Sequence, residues 1–295
     1  MLFHAIRATA LLKKSQKREF MALNALEQQA LAEINLAREQ PFRLTDHLSS
    51  VRAVSVVLVL SLWEIFGRRV NPLFLSYPSA IGRAFFQLLG SGELERQALG
   101  SLQVFAIGLS VALIVGIAFG LIMGRYRLAE YVLDPYVYAL DATPRVALIP
   151  LLLLWFGLGT SSKIAIVFLS GLFPVLMNTF SGVRSVSANL VDIGRAYGAG
   201  EGKIFTKIIL PAALPFVMAG IRLAVGRALI GIITAEMFTA VTGMGALLIR
   251  YSSALATDKF FVPVIFLALL GVILSSSVEK LQKRLAPWKE TERAL

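Results

Sequence analysis

Cysteine is absent from the 295 residues, which excludes disulfides, thiolate metal ligands and a cysteine nucleophile. Histidine is almost absent: the only two, His4 and His47, both precede residue 50. The rest of the chain therefore has no imidazole to hold a metal or to work as acid and base. Charge is scarce as well, at 16% of residues against 57% hydrophobic ones, and mean hydropathy is +0.73. Such a chain needs lipid to take up its apolar surface. Acids are the scarcer sign, 18 against 29 Lys plus Arg, for a net charge of +11. A nucleic-acid partner would require that excess on a polar domain; here it lies between apolar segments, and no such partner is expected.

What the chain does have is length without charge. Crossing ~30 Å of hydrocarbon takes about 20 apolar residues in a helix. Residues 104–124, 164–183 and 260–278 contain no Asp, Glu, Lys or Arg. Residues 146–162 are also charge-free but include Pro150, residues 51–67 carry Arg52 and Glu64, and residues 210–238 are interrupted by Arg222, Arg227 and Glu236. The pattern predicts an all-α membrane protein with six transmembrane helices, five being the fallback. With the N-terminus in the cytosol, 19 Lys and Arg fall inside and seven outside, while Arg145, Arg222 and Arg227 sit at bilayer depth. That bias puts both termini in the cytosol. Arg7 interrupts the apolar start and no small-residue cleavage site follows, so the first span reads as an uncleaved signal.

Three regions are expected. Residues 1–50 form a cytosolic extension in which Phe20, Leu23, Leu26, Ala30 and Ile34 recur at steps of three and four, the signature of an amphipathic helix over 16–39. Residues 51–285 form the transmembrane domain, and 286–295 a cytosolic tail. Outside, Asn71-Pro72 and Tyr77-Pro78 mark turns, and Ser79 is expected to cap a helix running to Leu89. Glu64, Trp63, Tyr77 and Trp155 read as interface anchors. Gly116, Gly120 and Gly124, four apart, let another backbone come close.

The loop at 184–210 is polar, helix-compatible and longer than a hairpin requires, predicting a short helix across the membrane face. Gly198 to Lys203 within it resembles a phosphate-binding loop. However, three residues separate Gly198 and Gly202 where four are needed, Ile204 stands where a magnesium-binding hydroxyl is required, and no strand precedes it. Nucleotide binding is excluded there.

In the same loop Asp192-Ile193-Gly194, then Gly198, then Ile208-Ile209-Leu210-Pro211 match the spacing of a family signature: Glu-Ala-Ala, three residues, Gly, nine residues, Ile, any residue, Leu-Pro. The chain resembles the permease subunits of ATP-binding-cassette (ABC) importers. The first triplet differs, with Asp for Glu, Ile for Ala and Gly for Ala. Leu154-Trp155-Phe156-Gly157-Leu158-Gly159, Gly182-Val183-Arg184-Ser185-Val186, Gly220-Ile221-Arg222-Leu223-Ala224, Ala235-Glu236-Met237 and Leu285-Ala286-Pro287-Trp288 are similar to the nitrate, sulfonate and taurine branch. Asp141-Ala142-Thr143-Pro144-Arg145 replaces the Arg-Pro-x-Pro-Pro segment usual there.

This resemblance implies a type I, MetI-like importer permease in a bacterial inner membrane. It would move a small solute, such as a sulfonate, a taurine-like compound or nitrate, by alternating access and without covalent chemistry. No catalytic or metal site and no cofactor is expected in this chain; ATP and Mg would be bound by separate ATPase subunits. The other implied partners are a second permease copy in a homodimer, an external substrate-binding protein and membrane lipid. A helix over 191–199 would seat in an ATPase groove, with Gly194 and Gly198 as a smooth strip and Asp192, Arg195 and Tyr197 as anchors. Ile208, Leu210 and Pro211 complete the coupling set, Pro211 in the first turn of the next span, where its missing N–H costs little. Arg222, Arg227 and Glu236 are the pathway candidates. Two other readings stand beside this one: an ion-coupled secondary transporter using Glu236 as its intramembrane acid, and a non-transporting scaffold built on the N-terminal amphipathic helix.

Overall fold

Hydrocarbon offers backbone N–H and C=O groups no water, so a spanning segment must satisfy its own hydrogen bonds as a helix. The computed structural model describes residues 48–287, and all regular structure in them is helical. The amphipathic helix expected at 16–39 and the tail beyond Pro287 lie outside these residues. Eleven helices follow one another: α1 (Leu48–Gly67), α2 (Pro78–Gly90), α3 (Glu93–Arg125), α4 (Arg127–Ala142), α5 (Arg145–Phe156), α6 (Thr160–Arg184), α7 (Ala188–Ala196), α8 (Glu201–Ile204), α9 (Leu210–Thr239), α10 (Met244–Ser253) and α11 (Thr257–Leu285). A π turn at Phe205–Ile209 joins α8 to α9. The chain divides into two units after Leu62. In the first, α1 exposes Val51, Val54, Val57, Leu58 and Leu62, a surface suited to lipid.

The second unit is built on α3, α6 and α9. Every fourth residue of α3 from Gly108 to Gly124 is glycine or alanine, and each meets α6 at the same offset. A Cβ on Gly108 would meet Val167 at 2.7 Å, on Gly116 Val175 at 3.1 Å, on Gly120 Thr179 at 2.6 Å and on Gly124 Val183 at 2.5 Å, while Ala112 faces Gly171. The constant offset means that α3 and α6 run parallel in close contact. The glycine stripe seen in the sequence, extended by two positions, is thus taken up within the chain and gives no argument for a second copy. α9 packs antiparallel on another face of α6 through Gly182, Gly220 and Gly231, against Phe216, Asn178 and Ser170 respectively.

Five helices are long and apolar enough to span: Ser50–Gly67, Glu93–Arg125, Thr160–Arg184, Glu201–Thr239 and Thr257–Leu285. The crossing expected over 146–162 is different. α5 has 12 residues, about 18 Å, too short to cross; Gly157, at φ 75°, stops it, and the next helix has begun by Thr160. α4 and α5 instead meet at 98° across a short break, and together they are long and apolar enough for a sixth span if the bent pair counts as one. The break falls at Thr143-Pro144, because proline holds its predecessor extended and Thr143 sits at φ −70°, ψ 129°.

α2 begins at Pro78 with Tyr77 in the cap position and no side-chain cap of its own. Ser79, the expected cap, instead gives its N–H to Glu64 Oε2 (2.9 Å) and its hydroxyl to Glu64 Oε1 (2.7 Å). Glu64 therefore caps a neighbouring helix from the end of α1, and Arg68 steadies it at 2.7 Å. Trp63 donates to the Ser76 carbonyl at 3.0 Å and stacks edge-on against Phe261.

The stripe predicts that Gly120→Val, which drives a branched side chain into Thr179 and the Leu176 carbonyl, costs about 1–3 kcal/mol or more of stability. Gly100→Ala, on the same helix with open space around it, is expected to be neutral or to stabilise by up to ~1 kcal/mol. Thermal midpoints of the detergent-purified protein check both; equal midpoints would remove the stripe from its role.

Candidate functional site

The 184–210 loop folds as α7, a stop, and a long rod. α7 covers 188–196, ending three residues earlier than the helix expected at 191–199. The stop has a local cause: Gly198 takes φ 76°, which glycine adopts at little cost. The Ala199 N–H donates to the Gly194 carbonyl (3.0 Å) and the Gly198 N–H to that of Arg195 (2.9 Å), the paired bonds of a Schellman cap. Gly198 is thus a helix terminator. Gly194 does not lie on a partner-facing strip either: a Cβ there would meet Ile208 Cδ1 at 2.7 Å, so its bare face lets α7 lie against its own π turn. Val191 and Ala199 pack on the same cluster, around buried Val183, Ile204, Ile209 and Ala213.

Charge fastens α7 from the side. Arg195 reaches Glu201 at 3.0 Å and Asp192 at 3.4 Å, Glu201 pairs with Arg125 at the end of α3, and Arg184 pairs with Glu130 of α4. Each exposed pair contributes little alone, but a chain of them resists sliding. Asp192 and Arg195 therefore hold the helix in register. The free anchor is Tyr197, 88% exposed, and Leu190 and Ile193 stand half exposed on the same face. The two aliphatic residues were not picked out from the sequence, although their spacing with Tyr197, at steps of three and four in a polar loop, was the available signal.

From Glu201 to Thr239 the chain is one helical rod of 39 residues, about 58 Å long. Pro211 is the second residue of α9, in its first turn as expected, and the rod runs back through the π turn before it. That turn, with Leu210 N–H donating to the Phe205 carbonyl, accommodates the proline's missing N–H. Ile208 touches Gly194, and Leu210 is partly exposed. α8, the π turn and α9 are thus one continuous helix, against which α7 is packed.

The rod reaches a cavity of about 580 Å³ where the α4–α5 break meets α6 and α9. Three charged residues line it: Asp141, Arg145 and Arg227. Arg145 pairs with Asp141 at 2.5 Å and lies over the Phe173 ring at 5.4 Å. Among the described residues Arg227 has no hydrogen-bond or ion-pair partner, and it sits near the middle of α9. Ser170, Asn178 and Thr234 add polar groups, and Ile149, Met177, Leu223 and Ile230 apolar ones. Of the three pathway candidates only Arg227 faces this space. Arg222 gives Nη2 to Gln282 of α11 at 3.0 Å and is outside the lining.

Glu236 also lies elsewhere, 1% exposed. It accepts from Ser101 Oγ at 2.7 Å and from the Gly245 N–H at 2.9 Å. Around it Ser101 Oγ accepts from Met244 N–H (2.9 Å), Gln97 from Gly243 N–H (2.6 Å), and Lys163 donates to the Thr242 carbonyl (2.8 Å). This knot ties α3, α6 and α9 to the start of α10. Gly243 and Gly245 are required because a Cβ at either would overlap Glu236.

The structure thus combines a short surface helix with an exposed Tyr197 face and a long helix that lines a polar cavity. The chain belongs to the family described as binding-protein-dependent transport system inner membrane component, whose model matches residues 116–287; these are the permease subunits of ABC importers. It is 33% identical over 236 residues to SsuC of Bacillus subtilis (strain 168), named as an aliphatic sulfonates transport permease, covering 79% of this chain and 86% of that one. The protein of the same name from Escherichia coli (strain K12) is 35% identical over 232 residues, covering 78% and 88%. In fold the chain is similar to the inward-facing MetNI methionine ABC transporter, at 16% identity and a TM-score of 0.50 over 65% of this chain and 95% of that one. The MetI-like architecture is thereby the observed one.

The buried knot predicts that Glu236→Ala, which strands the Ser101 hydroxyl and the Gly245 N–H, costs about 2–6 kcal/mol, about 1–3 for each buried group left unpaired. Glu236→Gln, which keeps one acceptor, is expected to cost about 1–3 kcal/mol. Denaturation midpoints in detergent provide the check, and a wild-type midpoint for the alanine variant would contradict it.

Proposed function

We propose that the chain works as a homodimer carrying a small organic anion of the aliphatic sulfonate kind inward across the membrane, with both termini in the cytosol. The observation that carries this reading is Arg227, a guanidinium without a partner among the described residues in a cavity at mid-membrane. A central arginine costs ~2.5–3.5 kcal/mol or more on insertion, a cost that makes sense where an anion or water meets it. Leu223, Gly226, Arg227 and Ile230 lie exposed along one face of α9. Arg227 cannot face acyl chains, so that face is best covered by the same face of a second copy, with the pathway between them. The names of the relatives supply the sulfonate class.

The ends of the helices support the orientation. Arg125, Arg184, Arg195, Lys203 and Lys207 gather at the end that carries α7, as cytosolic ends do. ATP and Mg are handled by the partner ATPases, and lipid covers the remaining apolar surface. When the ATPases close, the groove moves α7 through Tyr197, Ile193 and Leu190. The ion-pair chain and the rod pass that movement to Leu223, Arg227 and Thr234, so the cavity opens to one side and then the other. No observation favours secondary transport, whose acid, Glu236, is spent in hydrogen bonds, or a scaffold.

Two measurements test the proposal. In the reconstituted complex Tyr197→Ala should insert normally but lose tenfold or more of its substrate-stimulated ATP hydrolysis, as truncation of an aromatic hot spot does (about 2 kcal/mol). Because the chain has no cysteine, Ile230→Cys introduces a single thiol, and oxidation should give a disulfide-linked dimer. A monomer after oxidation would contradict the shared α9 face, and undiminished coupling in the first variant would contradict the role of α7.

A further inference from the structure

The cavity contains an acid where an anion pathway has no evident use for one. Asp141 ends α4, Arg145 begins α5, and the pair spans the Thr143-Pro144 break at 2.5 Å. The acid neutralises one of the two arginines in the lining, so Asp141, Arg145 and Arg227 leave a single net positive charge. Arg145 is not fully spent: its Nε is buried with no hydrogen-bond partner, and its planar face rests on Phe173. Arg227 is wholly unspent. Asp134, the next acid along α4, is not among the lining residues, and neither is Glu130, which is held by Arg184.

We infer that Asp141 sets the valence of the anion this pathway accepts, making each site complementary to a monovalent head group. The inference rests on the anion reading given above and adds the charge of the substrate to it. Charges that line one cavity within a protein interact more strongly than the same charges in bulk water. A monoanion on Arg227 brings the lining to neutrality, while a dianion leaves an excess negative charge facing Asp141. Ile149, Met177, Leu223 and Ile230 give the site an apolar wall, so the head group it suits is one carried on a short aliphatic tail. The acid does a second job at the same time: paired with Arg145 across the bend, it holds α4 and α5 at their angle, keeping the neutralising charge fixed in place.

The test uses the permease–ATPase complex purified without a binding protein, so that selection outside the membrane plays no part. Binding of ethanesulfonate and of ethane-1,2-disulfonate is measured by calorimetry or thermal shift at matched ionic strength. The wild type should bind the monoanion more tightly. Asp141→Asn, which leaves two net positive charges, should shift the ratio towards the dianion by about tenfold or more, the scale of one unit charge at close range. Asp141→Glu should keep the wild-type ratio, which separates loss of charge from damage to the bend. An unchanged ratio in Asp141→Asn overturns the inference. Arg227→Gln separates the two levels: if it keeps full ethanesulfonate binding, the anion reading itself fails; if it abolishes binding while Asp141→Asn keeps the ratio, only the valence inference fails.

Discussion

The contact on which the rest depends is the close approach of α3 and α6. Five small residues at four-residue spacing on α3, from Gly108 to Gly124, allow two parallel helices to touch backbone to side chain along most of their length. In lipid there is no hydrophobic gain from bringing helices together, so van der Waals contact at short range has to do it. With α6 held, its other face offers Gly182 and the groove around Pro174 and Asn178 to α9. The cavity is what remains between α6, α9 and a crossing that cannot close up, because proline and glycine have broken it.

The broken crossing and the rod play complementary parts. A bent pair exposes backbone and polar side chains at mid-membrane, which is tolerated only where they line protein or water, and here they line the cavity. The rod does the opposite. It carries continuous helix from the end that holds α7 to the knot around Glu236, with one π turn to accommodate Pro211. Leu223, Arg227 and Thr234, which face the cavity, lie on this rod, and its far end is tied to α3 and α10. Tyr251 of α10 shows how firmly that end is held: its hydroxyl donates to Glu93 at 2.9 Å, and burial together with that carboxylate pushes its pKa up to about 12.

Reading the chain residue by residue recovered the parts governed by local rules. Charge-free length identified the helices, since hydrophobicity over 20 residues is a one-dimensional property. The short helix in the 184–210 loop was legible because polar, helix-compatible sequence between two spans has to be explained. The readings that changed were those that depend on what a side chain faces. Gly194 and Gly198 looked like a strip for a partner; one seats α7 on its own chain and the other ends the helix. Ser79 looked like a cap and is itself held by Glu64. Leu190 and Ile193 went unnoticed beside their charged neighbours, which turn out to pair with one another.

By itself the sequence determined the class of solvent, the helical fold and most of the apolar spans, because each follows from composition or spacing along the chain. Only the tertiary structure decided among the charges at bilayer depth. Arg222, Arg227 and Glu236 share one helix and look equivalent in a list of residues, yet one meets a glutamine, one faces an open cavity and one is buried in hydrogen bonds. The neighbours that distinguish them, Gln282, Asn178 and Ser101, come from three other helices, and no pattern within α9 could have foretold them.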